Sequence, residues 1–385
     1  MAKQPKNFGF GEDETMLRDS ARKFFADNCS PDKIHAQVAH DPSIHRPIEC
    51  IWDKSLWQQI VELGWTAVCV PEDAGGVGMP LVGAVAIAEE AGKAAFPSPL
   101  ISTYCATFAL KSCGTDAAMK AMGDIAGGKA TTLAITNEKG SWETSDTDVT
   151  VTKGKLKGTA WFVQDAMKAD RFVVSARGDN GVGLYLVDAA AANINIIADG
   201  IIDLTRDQAH IEFSGTDCIE VAAQGAGDKA LDDALPSILT IISADIVGAG
   251  EWLLQTTTEY AKTRVQFDHP LGFFQAVKHP LVNVMLDIDR TKSLVYNAAC
   301  SIDCGEPEAE LQARMAKSQA SDMAVFSSSR AVQFHGGIGF TWECFVHLFF
   351  KRQMHNHVLF GDGKYHRTKL ADMVIGAAAL LSAAA

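Results

Sequence analysis

The chain has little positive charge for its size. Lysine and arginine account for 34 of its 385 residues, against 47 aspartates and glutamates, so the formal net charge is −13. A strongly negative field repels polyanions, which argues against a nucleic acid or a membrane surface as the partner. Long apolar runs are also missing, because no stretch reaches the ~20 residues of a spanning helix and the first residues lack a signal peptide's apolar core. The sequence predicts a cytoplasmic protein.

Patterned cysteines are missing too. The nine cysteines are scattered, with no CxxC pair and no histidine–cysteine cluster at metal-ligand spacing. An odd number without a pattern favours reduced thiols over a disulfide framework. Cys300 and Cys304 lie one helical turn apart, which leaves a metal or redox pair as the alternative. The pattern therefore predicts no bound metal.

The chain does contain helical patterns, then strand patterns, then helical patterns again. Residues 12–29 carry apolar residues at helical spacing, and residues 81–125 have an alanine-rich helical composition. In the middle, short β-branched runs recur about every ten residues, a pattern typical of an antiparallel barrel or sandwich. We predict an α+β protein with a helical domain at 1–127, a β domain at 128–227 and a helical domain at 228–385.

The stretch AVQFHGGIGF, residues 331–340, places three glycines directly after a predicted helix. Glycine in such a place lets the chain turn with positive φ or approach another group closely. A glycine cap at the helix end is the alternative, but it accounts for one glycine better than for three. Gly336, Gly337 and Gly339 therefore predict a turn that receives either a ligand or a neighbouring helix.

A second candidate site lies in TRVQFDHPLGFFQAVKH, residues 263–279. Arg264 and Phe267 are three residues apart at the end of a predicted helix and share a face, and Gln275 begins the next helix. An arginine beside a turn can pair with a pyrophosphate, and a phenylalanine can cover an adenine or ribose. Taken alone, these residues leave a solvated arginine and a core phenylalanine as the alternative.

Together, and in this order, the two stretches resemble the acyl-CoA dehydrogenase family of flavoproteins. LGWTAVCVPEDAGGVG (63–78), GTAWFVQDAMKADRFVVSAR (158–177) and TRDQAHIEF (205–213) resemble further family motifs, so the resemblance covers nearly the whole chain. It implies a C-terminal four-helix bundle after the middle β domain. It also implies that the ADP portion of FAD is bound across a subunit interface by six residues: Arg264, Phe267, Gln275, Gln333, Gly336 and Gly337.

The resemblance also implies a reaction. Members of the family dehydrogenate an acyl-CoA thioester to the 2,3-enoyl-CoA with a glutamate base, and an electron-transfer flavoprotein takes the electrons. Many members carry that base in a C-terminal loop, where this chain has Gly361 followed by Asp362. Other branches carry it on an earlier helix, where residues 242–248 contain one carboxylate, Asp245. Asp245 is therefore the candidate catalytic base, with Asp362 as a second candidate.

Two more positions depart from the family pattern. The run that contacts the flavin ring and substrate is replaced here by TNEKGS, residues 136–141. Asp268 places a carboxylate near the predicted pyrophosphate site, where it repels phosphate unless it points away or pairs with His269 or an arginine.

A chain that combines intact ADP-site motifs with an altered flavin run resembles the subunits of bacterial heteromeric steroid side-chain acyl-CoA dehydrogenases. The chain is therefore expected to join a homologous subunit in a heterotetramer, with the base on this chain or on that partner. A homotetrameric fatty or branched acyl-CoA dehydrogenase and a non-catalytic structural partner subunit are the alternatives.

Overall fold

A computed structural model describes residues 7–39 and 50–376, together with Pro5 and Ile48. The α-helices of these residues are α1 Glu12–Asn28, α2 Pro31–Val38, α3 Lys54–Glu62, α4 Leu81–Lys93, α5 Leu100–Cys113, α6 Asp116–Ala126, α7 Gly227–Thr263, α8 Gln275–Asp303, α9 Ala309–His335, α10 Val346–Asn356 and α11 Gly363–Ile375. The strands are β1 Thr131–Ala134, β2 Thr150–Thr152, β3 Lys155–Gln164, β4 Arg171–Gly178, β5 Gly181–Asp188, β6 Ile194–Ala198, β7 Gln208–Asp217, β8 Ile219–Ala222, β9 Val265–Gln266 and β10 His269–Pro270. This order confirms the predicted α+β class.

The middle of the chain forms one eight-stranded sheet. Its strand order is β6-β7-β3-β2-β4-β5-β8, with β1 paired to β4. Most pairs are antiparallel, as the sequence pattern predicts, whereas β1 and β2 each run parallel to β4. Buried side chains that include Leu156, Phe172 and Phe213 form the apolar core of the sheet. The inward alternation of β-branched and aromatic residues is what a half-buried strand requires.

Contacts divide the chain into two compact units. Among the described residues, one unit takes those within 41–84 and 97–238, and the other takes those within 1–40, 85–96 and 239–385. The sheet lies in the first unit together with α5, whose residues from Leu100 to Leu110 are all buried. The three-domain division stays a prediction, because this division follows contacts rather than chain order.

α7 is the longest described helix and one of the most apolar. Its length and composition would allow it to cross a membrane, but 78% of its apolar window is buried inside the protein. A helix that is apolar on all sides and buried is a core helix. A Cβ at Gly248 would lie 1.8 Å from the carbonyl oxygen of Glu89, so glycine allows α7 to touch the backbone of α4. Asp245 lies one turn before this crossing.

α9 is the central helix of the C-terminal part. It packs against α8, α10 and α11, which confirms the helical character predicted for this part of the chain. Two polar side chains on its buried face, Lys317 and Ser321, form hydrogen bonds with the turn between α10 and α11. That turn is one of the two places where a catalytic base is expected.

Candidate functional site

The hairpin between α7 and α8 carries Phe267. Gln266 pairs with His269 across the hairpin, and the two turn residues, Phe267 and Asp268, have φ of 52° and 60°. Such a turn usually takes Asn and Gly, and other residues there store about 1–3 kcal/mol of strain each. Phe267 is nevertheless 84% exposed. The fold thus accepts backbone strain to hold a phenyl ring in solvent. This arrangement favours a ligand or a partner that covers the ring.

Arg264 and Gln275 flank this hairpin. Arg264 is exposed and follows α7 directly, and its carbonyl accepts a hydrogen bond from the N–H of Leu271 at 2.8 Å. Gln275 is the exposed first residue of α8, which is 29 residues long. The N-terminus of a long helix carries unpaired N–H groups and the positive end of the helix dipole, so it suits a phosphate.

Gln333, Gly336 and Gly337 lie at the C-terminal end of α9. The carbonyl of Gln333 accepts a hydrogen bond from the N–H of Gly336, which has a φ of 63°. Gly336 therefore caps α9, as the glycine-cap alternative expects. A Cβ added at Gly337 would meet no atom within 4 Å. The turn therefore caps the helix and also leaves open space beside its backbone.

Tyr260 and His335 bring the two segments together. Their rings stack with centroids 4.3 Å apart at an interplanar angle of 20°. Tyr260 lies one turn before Arg264, and His335 directly precedes Gly336, so the ends of α7 and α9 are neighbours. The ADP portion of FAD can be bound by four kinds of group: a cation, a helix N-terminus, an aromatic ring and an open glycine turn. The two segments together provide all four.

Asp268 is the residue that fits this set least. It is exposed at the tip of the hairpin, and the ring of His269 stacks on Phe273 at 4.1 Å. Water and salt screen an exposed carboxylate, so its repulsion of a nearby phosphate is weakened.

The structure buries Asp245 in an ion pair. Nη2 of Arg352 lies 2.6 Å from its Oδ1, and both side chains are almost fully buried. Asn356 donates a hydrogen bond to Oδ2, and Gln353 donates to the carbonyl of Ile246 at 2.9 Å. α10 is thus fastened to α7 by three side chains. Both oxygens of Asp245 are engaged in structural contacts, and its role as a base stays a prediction.

The C-terminal turn has no room for a side chain at the second base position. Gly361 has a φ of 101°, and a Cβ there would lie 2.3 Å from Cδ1 of Tyr365. A larger residue would meet both backbone strain and the tyrosine ring. Asp362 accepts a hydrogen bond from the N–H of Tyr365 at 2.8 Å and caps α11, which is an ordinary structural use of aspartate.

Lys317, which the sequence analysis did not select, holds this turn in place. Its buried Nζ donates to Oγ of Ser321 at 2.8 Å, to the carbonyl of His357 at 3.0 Å and to that of Gly361 at 2.9 Å. The three hydrogens of an ammonium group match these three acceptors. Burial lowers the pKa of Lys317 to about 7. A lysine among small residues on a buried helical face was the signal in the sequence.

Polar groups of residues 136–141 form hydrogen bonds within this run and with a residue shortly after it. Oδ1 of Asn137 accepts the N–H of Ser141 at 3.0 Å, and its carbonyl accepts the N–H of Gly140 at 3.0 Å. Oγ of Ser141 donates to Asp146 at 2.7 Å. These contacts close the turn, and the weakened fit of this run to a flavin ring stays a prediction.

A buried cluster of charges, which the sequence did not predict, lies at the end of β3. Nζ of Lys168 lies 3.0 Å from Asp165 and 2.9 Å from Asp207. Arg206 lies 3.7 Å from Asp165, which also accepts a hydrogen bond from Oγ of Ser102 at 2.6 Å. The cluster ties the turn after β3 to the start of β7 and to α5.

The charges in this cluster hold each other ionised. Burial raises the pKa of Asp165, but Lys168 and Arg206 lower it more, so that it lies below its ordinary value. Burial lowers the pKa of Lys168, but Asp165 and Asp207 raise it above its ordinary value. Removal of one member would therefore leave an opposite charge buried without compensation.

Comparison with known proteins identifies the same family at both ends of the chain. The model for the N-terminal domain of acyl-CoA dehydrogenases matches residues 11–123, and that for the C-terminal domain matches residues 240–375. The acyl-CoA dehydrogenase IpdE2 of Mycobacterium tuberculosis is 29% identical over 344 residues, which is 89% of this chain and 91% of that protein.

Solved structures share the fold. A variant of the Tcur3481-Tcur3483 steroid ACAD superposes with a TM-score of 0.85 at 26% identity, covering 96% of this chain and 99% of that one. The ChsE4-ChsE5 complex from Mycobacterium tuberculosis has a TM-score of 0.83 at 24% identity, covering 94% and 97%.

Proposed function

Because the chain belongs to the acyl-CoA dehydrogenase family, we propose that it is a subunit of an FAD-dependent enzyme that oxidises an acyl-CoA thioester to the 2,3-enoyl-CoA. The observation that carries this proposal is the grouping of cofactor donors at the ends of α7 and α9, joined by the stack of Tyr260 on His335. A helix end used only for packing would not need a strained, exposed phenyl ring beside an exposed arginine.

Arg264 and the first turn of α8, beginning at Gln275, would hold the pyrophosphate of FAD by charge-assisted hydrogen bonds and the helix dipole. The ring of Phe267 would cover the adenosine part, and Gln333 with the open turn at Gly336 and Gly337 would offer further contacts. FAD, when bound, supplies the hydride acceptor. The residues of this chain bind and orient it.

The contacts of the base candidates favour a complex of two different subunits. Asp245 is engaged by Arg352 and Asn356, Asp362 caps a helix, and position 361 has no room for a side chain. These contacts favour a base outside these positions, and the matching helix of a homologous partner subunit is one source. A solved relative carries the name Tcur3481-Tcur3483 steroid ACAD. Its double name supports the two-subunit proposal, and the word steroid supports a bulky or steroid-like acyl group.

The family resemblance implies that an electron-transfer flavoprotein would take the electrons. The composition supports the proposal that the enzyme works on its CoA thioester in the cytoplasm. Two alternatives remain: a homotetrameric fatty or branched acyl-CoA dehydrogenase, and a structural subunit that supplies only the ADP-binding half-site.

Expression with and without a homologous neighbour tests the proposal. Each preparation would be assayed for FAD content and for oxidation of short-chain, long-chain and steroid side-chain CoA thioesters with an artificial electron acceptor. We expect full FAD content and turnover only in the co-expressed complex, with the bulky thioester preferred. A chain that binds one FAD and oxidises a thioester by itself would disprove the two-subunit proposal, and a complex without turnover would disprove the reaction.

Arg264→Ala should lower the retention of FAD in the assembled complex. The substitution removes a charge-assisted contact of about 1.5–3 kcal/mol, or roughly a ten- to hundredfold loss of affinity. Flavin absorbance after gel filtration measures the result. Arg290→Ala is the matched control, because this exposed arginine of α8 pairs only with its neighbour Asp287, at 3.2 Å, among the contacts described. Equal flavin occupancy in the two variants would remove Arg264 from the cofactor site.

A further inference from the structure

Cys300 and Cys304 form a pair of neighbouring thiols at the C-terminal end of α8. Their sulfur atoms lie 4.0 Å apart. The N–H of Cys304 donates to the carbonyl of Cys300 at 2.9 Å, so the two residues lie on one helical turn. Cys300 is 2% exposed, whereas Cys304 is half-buried. The pair is therefore a compact dithiol that a ligand reaches from the side of Cys304.

The end of the helix around this pair is closed by backbone hydrogen bonds. The N–H of Glu306 donates to the carbonyl of Ser301 at 2.9 Å. The N–H of Gly305, which has a φ of 64°, donates to the carbonyl of Ile302 at 3.0 Å. These two bonds and the left-handed glycine make a Schellman motif, which satisfies the last carbonyls of a helix. Regular helix geometry therefore fixes the positions of both cysteines.

Helix geometry opposes a disulfide between these two cysteines. Side chains four residues apart on a helix have Cβ atoms about 5–6 Å apart, whereas a disulfide needs about 3.5–4.5 Å. A disulfide would therefore require the closed end of α8 to unwind. The redox pair that the sequence spacing left open does not fit this helix end.

A tetrahedral metal site does not fit the pair either. Within the part of the chain that the structure describes, no histidine, cysteine, aspartate or glutamate joins the two cysteines in a group of three metal ligands. Zinc in proteins usually takes four ligands. A ligand that suits this pair therefore completes its bonding with two sulfur atoms and its own substituents.

We propose that Cys300 and Cys304 form a binding site for thiophilic compounds that bond to two sulfur atoms at once, with monosubstituted trivalent arsenicals as the chemical class. Two bonds of about 2.3 Å, the length of a zinc–sulfur bond, can bridge sulfurs up to about 4.6 Å apart. The 4.0 Å between these sulfurs lies within that reach. The helix thus presents both sulfurs without a change of its backbone.

The bonding step is balanced without an oxidant. When an arylarsenic(III) oxide binds, both S–H bonds and the bonding of arsenic to its oxide break, and two As–S bonds form. The two protons leave with the oxide as water, and arsenic stays trivalent. The bound product carries no net charge, which suits a pair with one buried member.

Phenylarsine oxide tests the site on the purified full-length chain, with or without a homologous subunit. Native mass spectrometry over a titration gives the number bound and the affinity. We expect one arsenical per chain, released by an excess of a small dithiol. Cys304→Ser should weaken binding by about 10²-fold or more, because a second linked contact raises affinity by about 10²–10⁴. Bound FAD should stay, since Gln275 lies at the opposite end of α8, so the result does not depend on the proposed function.

Cys113→Ser is the matched control. Cys113 is the half-buried last residue of α5, and its thiol donates to the carbonyl of Ala109 at 3.1 Å. The substitution removes a thiol of similar exposure from a helix end and should leave arsenical binding unchanged. Melting temperatures show that both variants are folded.

Three results would overturn the proposal. The first is a folded wild-type chain that binds no arsenical, and the second is equal affinity in wild type and Cys304→Ser. The third is a disulfide between Cys300 and Cys304 after treatment with hydrogen peroxide, identified by peptide mass spectrometry, because it would show a redox pair instead.

Discussion

Asp245→Asn should lower the free energy of unfolding by about 3–5 kcal/mol, because it leaves the buried guanidinium of Arg352 without its counter-charge. The pair is 2.6 Å long and its two side chains are almost fully buried. Turnover per folded complex should stay within a fewfold of wild type. A base at this position would behave in the opposite way, with about 10²-fold lost in turnover and the fold intact. Urea unfolding and kcat per bound FAD measure the two effects.

Asp322→Asn is the matched control for this substitution. Asp322 also pairs with an arginine at 2.6 Å, but its side chain and that of Arg367 are more than half exposed. Exposed pairs contribute about 0–1 kcal/mol, so this variant should unfold close to wild type. If Asp245→Asn instead keeps wild-type stability and loses turnover, the ion pair opens in the working enzyme and Asp245 is its base.

Lys168→Met should cost about 3–5 kcal/mol of unfolding free energy as well, since it leaves Asp207 buried without its cation at 2.9 Å and leaves Asp165 with Arg206 alone, at 3.7 Å. Methionine keeps the length and the apolar part of the side chain, so the loss reports the charge rather than a cavity. Chemical denaturation at neutral pH measures it. Lys155→Met is the control, because its pair with Asp217 is exposed on both sides and should contribute at most about 1 kcal/mol.

The stability difference between wild type and Lys168→Met should depend on pH. The folded-state pKa of Asp165 lies below its ordinary value. Its contribution is therefore present above the ordinary pKa, about 3.9, and is lost as the pH falls through the lowered one. The folded-state pKa of Lys168 is raised, so its contribution is present below about 10.4 and is lost as the pH rises through the raised one. Denaturation at intervals from about pH 2 to about pH 11 measures the difference. A difference that does not shrink as the pH falls below about 3.9 would contradict the charge assignment.

Local patterns in the sequence were sufficient to predict the order of the helical and strand regions along the chain. The alternation of β-branched residues predicts the strands around Leu156 and Phe213, and both are in the core of the sheet. The parallel pairing of β1 and β2 with β4 was not predicted, because pairing direction depends on where distant strands meet and not on their own periodicity.

The cofactor segment was selected from the sequence for the same local reason. Gly336 is a short-range feature, since a few neighbouring residues decide whether the backbone adopts positive φ. The turn at Phe267 was not predicted: the expectation that Arg264 and Phe267 share a helical face was wrong, because α7 ends at Thr263 and both residues lie beyond it. The stack of Tyr260 on His335, which makes neighbours of these segments, comes from helix packing and carries no local signal.

The sequence by itself determined the α+β class, the family resemblance and the residues proposed to bind the ADP portion of FAD, because each rests on residue types at short, fixed spacing. Only the tertiary structure decided what surrounds the carboxylates and bases. Asp245 meets Arg352 from 107 positions away, and Tyr365 closes position 361. Burial and partners set the chemistry of an ionisable group, and packing between distant segments creates both.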